Sequence, residues 1–212
     1  VSDDLDILDL LRSHGLATAE AQREGRRALE AAGLTRPGKR RIARAKLDDA
    51  RRAIAERLLR VCGDPECLRL SNGRDPGRAA VTAAPNACEV CAGSNNRRAA
   101  AALVRCLGMN GVRRVVVVGG SPATRAELGR LLGGADLEVR LVDPDGSHAR
   151  KDAEPHLQWA QLLVVWGATQ LPHKVSKLYT DRPPPHLRVV SLAKRSVEAL
   201  CREAARSFGC GS

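Results

Sequence analysis

Four cysteines in a two-plus-two arrangement constrain this chain more than any other feature. Cys62 and Cys67 are separated by four residues, Cys88 and Cys91 by two, and the two pairs by twenty. Turn-forming residues accompany each pair: Gly63, Asp64 and Pro65 lie inside the first, and Gly93 follows the second. Two tight turns that each offer two thiolates supply the four ligands of a closed tetrahedral metal site. The spacing therefore predicts a structural Zn²⁺ bound by Cys62, Cys67, Cys88 and Cys91. The module spans about thirty residues and has few large apolar side chains. Structural zinc contributes roughly 10–16 kcal/mol of apparent binding free energy in small peptides, so it can replace a core that such a module lacks. Four thiolates leave no open coordination position, and no histidine falls between Cys62 and Cys91, which argues against metal catalysis.

Seven cysteines are present in all. An odd number, without an export signal in this sequence, argues against a disulfide framework and for a cytoplasmic protein. Cys106 and Cys201 fall in helical stretches and are expected to be buried free thiols, with Cys210 in a frayed tail. No apolar run approaches the roughly 18 residues that span a bilayer, so a membrane protein is not expected. Usage heavy in Arg, Ala and Gly points to a GC-rich bacterial genome.

The formal charge is +11, and it is localised. Residues 36–60 hold 10 basic and 3 acidic side chains, whereas residues 1–35 hold 4 and 7. The densest cluster is Arg36, Lys39, Arg40, Arg41 and Arg44. Such a concentration favours a polyanion, because the arginine fork donates two parallel hydrogen bonds to a phosphate. Arg97 and Arg98 open a helix, where the dipole disfavours cations and an anion would reverse the penalty. Aromatic residues are only 2 % of the chain, too few for a base-stacking platform on single strands, so duplex DNA is the expected nucleic acid.

Periodicity divides the chain into a basic helical region at residues 1–61, a cysteine module with its connecting helix at 62–111, and an α/β region at 112–212. In the first region, Ser2 is expected to cap one helix and Thr18 a second that ends at Gly33. A third helix is expected from Thr35, with Leu47, Ala50, Ile54, Leu58 and Val61 as its apolar stripe. From Val112 onward, strands expected at Val115–Val118, Leu137–Val142, Leu162–Trp166 and Leu187–Leu192 alternate with helices. That order predicts a four-stranded, parallel, doubly wound sheet of Rossmann-like type. Its ligand edge would include Gly119, Gly120, Ser121, Asp143, Thr169 and His173, with the glycines admitting a phosphate and Asp143 placed to meet a ribose. Gly-Gly-Ser-Pro is not the G-x-G-x-x-G fingerprint of redox dinucleotide enzymes. Ser121 lacks a nucleophile elbow and is expected to cap a helix. No catalytic residue is assigned, and an enzyme is less expected than a binding protein.

The segment from about Val115 to Phe208 resembles an uncharacterised bacterial Rossmann-like domain family. The features that carry the resemblance are Val117-Val118-Gly119-Gly120-Ser121-Pro122, the strand Leu162–Trp166, and Pro172-His173-Lys174-Val175-Ser176-Lys177. The cysteine module resembles a zinc ribbon. The resemblance implies a ligand- or nucleic-acid-associated module and no particular reaction. Three functions follow as expectations. The first is a zinc-containing protein that binds duplex DNA through Arg40, Arg41, Arg44, Arg97 and Arg98, in a regulatory or genome-defence setting. The second is a nucleotide sensor or enzyme that uses the strand-end edge. The third is a basic scaffold that docks an acidic protein.

Overall fold

A computed structural model describes residues 4–73, 75–144, 151–167 and 173–210, with the backbone alone at 173–176. The chain divides into two compact units, Val1–Ser94 and Asn95–Ser212.

The first unit opens with strand β1 (Asp4–Asp6) and helix α1 (Ile7–Ser13), followed by α2 (Ala19–Ala31). Ser2 lies outside the described residues, and Asp6 caps α1 instead, accepting from the N–H groups of Leu8 and Asp9. Thr18 caps α2 as expected, its hydroxyl accepting from Ala21 N–H. The buried faces of the helices, including Ile7, Leu11, Leu29 and Ile54, close a small core with Ile42, Leu58 and Val81.

The third helix does not run from Thr35 to Val61. Residues 36–39 turn, with Lys39 N–H bonded to Arg36 C=O and Gly38 at φ +79°. Strand β2 (Arg41–Ala43) then pairs antiparallel with β1, Leu5 opposite Ile42. A 3₁₀ turn at Arg44–Lys46 leads into α3 (Leu47–Arg57). Leu58 to Val61 leave the helix as strand β3 and pair in parallel with β4 (Ala79–Thr82), Leu58 opposite Ala79. The apolar stripe is genuine through Ile54. Beyond it, Leu58 and Val61 are buried by sheet pairing, which periodicity alone does not separate from a helix face. Between β3 and β4 lies α4 (Pro65–Ser71), capped by Asp64 and carrying Pro65 in its first turn.

The second unit begins with α5 (Asn95–Met109) and follows the expected alternation. Strands β5 (Arg114–Gly119), β6 (Glu138–Val142), β7 (Leu162–Trp166) and β8 (Arg188–Leu192) form one parallel sheet in the order β6-β5-β7-β8. Helices α6 (Pro122–Leu132), α7 (Ala153–Trp159), α8 (His173–Thr180) and α9 (Val197–Arg206) complete it. Alternate side chains of β5 and β7 enter two separate cores. Val115, Val117, Leu162 and Val164 pack with Leu103, Leu128 and Leu200, while Val116, Val118, Leu163 and Val165 pack with Ala153 and Tyr179. Burial on both faces explains why these strands are unbroken apolar runs. The strand order reverses direction between β5 and β7, which makes that gap the topological switch point.

One expectation is overturned here. Cys106, near the end of α5, is disulfide-bonded to Cys210, which lies 104 residues away in sequence and just past α9. Neither is a free thiol, and the tail at Cys210 is tied down. Cys201 is buried and unbonded as expected, and burial pushes its thiol up to about 12.

Two outcomes follow. Unfolded with a chelator and no reductant, the chain should show five reactive thiols, rising to seven after reduction; seven before reduction would contradict the bridge. Gly120 has φ +75°, and an added Cβ would stand 2.5 Å from the Trp166 ring. Gly120→Ala should therefore cost about 1–3 kcal/mol, read as a fall in melting temperature of roughly 2–10 °C. An unchanged melting curve would contradict that packing.

Candidate functional site

Cys62 leaves the end of β3, and Cys67 sits in the first turn of α4. The Asp64 carboxylate accepts from the N–H groups of Glu66 (2.9 Å) and Cys67 (3.4 Å), fixing the first turn. Cys88 and Cys91 lie on a second turn, in which Ala92 N–H meets Cys88 C=O at 2.8 Å and Ser94 N–H meets Cys91 C=O at 2.8 Å. Ala92 (φ 47°) and Gly93 (φ +77°) take left-handed conformations that bend the chain around Cys91, and Gly93 N–H points at Cys91 Sγ, 3.4 Å away.

All four cysteines are buried, and their sulfur atoms lie within 4.8 Å of one another. Cys62 Sγ and Cys91 Sγ are 3.8 Å apart. Thiolates around an ion at a metal–sulfur distance near 2.3 Å stand about 3.8 Å apart at tetrahedral angles. The cluster therefore fits a four-coordinate metal ion and is too open for disulfides. Burial raises the Cys88 thiol, but backbone hydrogen bonds involving Cys62, Cys91 and Val90 outweigh it and bring the thiol down to about 7. Cys62 moves the other way, raised chiefly by burial.

The second cysteine turn is locked to β3 by a cluster that the spacing did not reveal. Glu89 lies between the paired ligands. Its backbone N–H bonds Arg60 C=O at 2.9 Å. Its carboxylate accepts from Arg60 N–H and Arg60 Nε, both at 3.1 Å, and from Arg78 Nη2 at 2.7 Å. Arg78 also donates to Leu58 C=O, so one guanidinium ties β3 to the Cys88–Cys91 turn. Burial opposes the Glu89 charge, but Arg78 and Arg60 prevail and hold its carboxyl below the usual range. The N-terminal helices reach the same turn, because Gly15 packs so closely on Ala87 that an added Cβ would stand 2.2 Å from that side chain.

Arg40, Arg41 and Arg44 are exposed but do not lie on one helix. They fall on the approach to β2, on β2 itself and on the 3₁₀ turn. Arg41 donates to Asp4 C=O at 2.6 Å. Arg51 and Arg52, on α3, pair with Asp48 and Asp49. In the second unit, Arg97 is exposed and Arg98 half-buried, with Arg98 Nη1 bonded to Asn95 Oδ1 at 3.1 Å. Asn96, at the same helix start, is spent on structure. Its amide donates to Glu127, and its oxygen accepts from Glu198 N–H at the start of α9.

At the carboxyl edge of the sheet, a cavity of about 300 Å³ opens at the switch point. Gly119, Gly120, Ser121 and Asp143 line it as expected, together with Arg125, Trp166, Gly167 and Arg195. Ser121 caps α6, accepting from Thr124 N–H. Gly120 has a structural explanation in Trp166, which covers it. Asp143 is already engaged, because Arg125 Nη2 donates to its carboxylate at 2.7 Å while Arg125 Nη1 donates to Gly120 C=O at 2.6 Å. Thr169 lies outside the described residues. His173 begins α8, and its side chain is likewise outside them. Arg125 lies one turn beyond Ser121, a helical spacing that places it at the strand edge. Arg195 carries no such local signal.

No known protein family, characterised protein or solved structure matches the chain. No helix among the described residues is long and apolar enough to cross a membrane.

Removing the Glu89 carboxylate would leave the Arg60 and Arg78 side chains, 27 % and 19 % exposed, without their shared counter-charge. Glu89→Ala should cost about 1–3 kcal/mol and speed metal release to a competing chelator. Unchanged unfolding and unchanged release would show that the clamp does not hold the turn.

Proposed function

We propose that this chain is a zinc-containing nucleic-acid-binding protein that grips duplex DNA by its phosphates. Four thiolates and no open position suit zinc in a structural role, because soft ligands in tetrahedral array favour it and nothing remains for catalysis. Zn²⁺ on Cys62, Cys67, Cys88 and Cys91 would join β3, α4 and the Cys88–Cys91 turn into one body.

The observation that carries the reading is the exposed cationic run from Arg36 to Lys46, six basic residues without an intervening acid. The side chains of Arg36, Lys39 and Arg40 make no ion pair with any described residue. They contrast with Arg51 and Arg52, which neighbouring aspartates neutralise. The run is anchored midway by β2 and by Ile42, which is buried in the core. Guanidinium groups held on a short strand and a turn suit the repeating charge of a backbone. Carried on a short strand and turns, these groups would read phosphates and not base edges.

The test is duplex binding across a salt series. Affinity should fall with a log–log slope of about −0.9 per phosphate neutralised. Arg36→Glu with Arg40→Glu should weaken binding at least tenfold on unrelated sequences while leaving the melting temperature unchanged. Salt-independent binding, no duplex binding near physiological salt, or a nuclease-resistant acidic protein as the retained partner would contradict the reading.

A further inference from the structure

We infer that the strand-end cavity of the second unit is a binding site for a small phosphomonoester carrying a hydroxylated sugar, of mononucleotide size. This inference is independent of the nucleic-acid reading, which rests on the first unit.

Four observations carry it. The cavity sits where β5 and β7 lie side by side and their following connections leave in opposite directions, so the chain itself opens a crevice there. Its volume of about 300 Å³ is at the lower end for small-molecule sites and suits a ligand of mononucleotide size. Among the described residues its charged lining is Arg125, Asp143 and Arg195, an excess of one positive charge. Each of these groups is in a distinct state. Arg125, only 13 % exposed, is committed to Asp143 and to Gly120 C=O, so it fixes the floor and orients the carboxylate. Arg195 is exposed at the rim, pairs with no described acid, and is the group left to meet an anion.

The polar chemistry thus divides along the cavity. A phosphoryl group would take Arg195, whose planar fork suits it. Asp143 is 54 % exposed, and a carboxylate in that state accepts hydrogen bonds from sugar hydroxyls. The Trp166 ring is 1 % exposed and packs closely against Gly120. It therefore offers no stacking face, and recognition would centre on the sugar phosphate more than on a base.

Calorimetric titration of the intact chain decides this, with adenosine monophosphate, ribose 5-phosphate, adenosine and inorganic phosphate as probes. Adenosine monophosphate and ribose 5-phosphate should bind within about tenfold of each other, adenosine should not bind, and inorganic phosphate should bind more weakly than either sugar phosphate. Arg195→Glu should weaken sugar-phosphate binding at least tenfold. Arg114→Glu, at the opposite end of β5, should leave it unchanged, as should the Arg36→Glu and Arg40→Glu pair. No binding of either sugar phosphate at millimolar concentration would overturn the inference. So would equal affinity in Arg195→Glu, loss of binding in the double variant, or adenosine binding as tightly as its phosphate.

Discussion

Four sulfur atoms gathered within 4.8 Å are the constraint on which the first unit depends. Thiols so close gain little from one another. They gain a great deal from a shared cation, which converts four weak polar groups into four bonds. Three elements of the second half of this unit lead to the cluster: β3 runs into Cys62, the first turn of α4 carries Cys67, and the turn after the Pro85–Ala87 3₁₀ helix supplies Cys88 and Cys91. The parallel β3–β4 pair is only four residues long on each strand, too short to hold itself together. The Glu89 clamp and the packing of Gly15 on Ala87 then transmit the cluster's position to the helices.

The second unit is held differently. Its two central strands, β5 and β7, are buried on both faces and separate two apolar cores. A disulfide from Cys106 to Cys210 secures its last turn to its first helix. In this unit structure and candidate site coincide, since the Arg125–Asp143 pair both joins the loops after β5 and β6 and shapes the cavity floor. The four-cysteine cluster of the first unit, by contrast, is buried, and the exposed charge lies away from it in sequence.

Much of this was legible from residue order. The apolar runs at Val115–Val118 and Leu162–Trp166 identified buried parallel strands, and Thr18, Ser121 and Asp143 fell where caps and strand ends required them. The four-cysteine spacing located the cysteine cluster because its members are close in pairs. What escaped the sequence was set by distant contacts. Leu58 and Val61 continue a helical stripe, yet they are strand, because Ala79–Thr82 and Arg78 capture them from about twenty residues away. Strands β1 and β2 have three residues each, below the length at which alternation is visible. Cys106 and Cys210 share no local pattern, and the Asn96 side chain is taken up by α6 and α9 contacts that only the folded unit creates.

Metal analysis of purified protein kept reduced throughout tests the central claim most directly. The account predicts one zinc per chain, bound by four sulfur ligands at about 2.3 Å by X-ray absorption, and lost when any of Cys62, Cys67, Cys88 or Cys91 is replaced by serine. Well-folded, reduced protein without stoichiometric metal, or metal retained in full by all four serine variants, would contradict it.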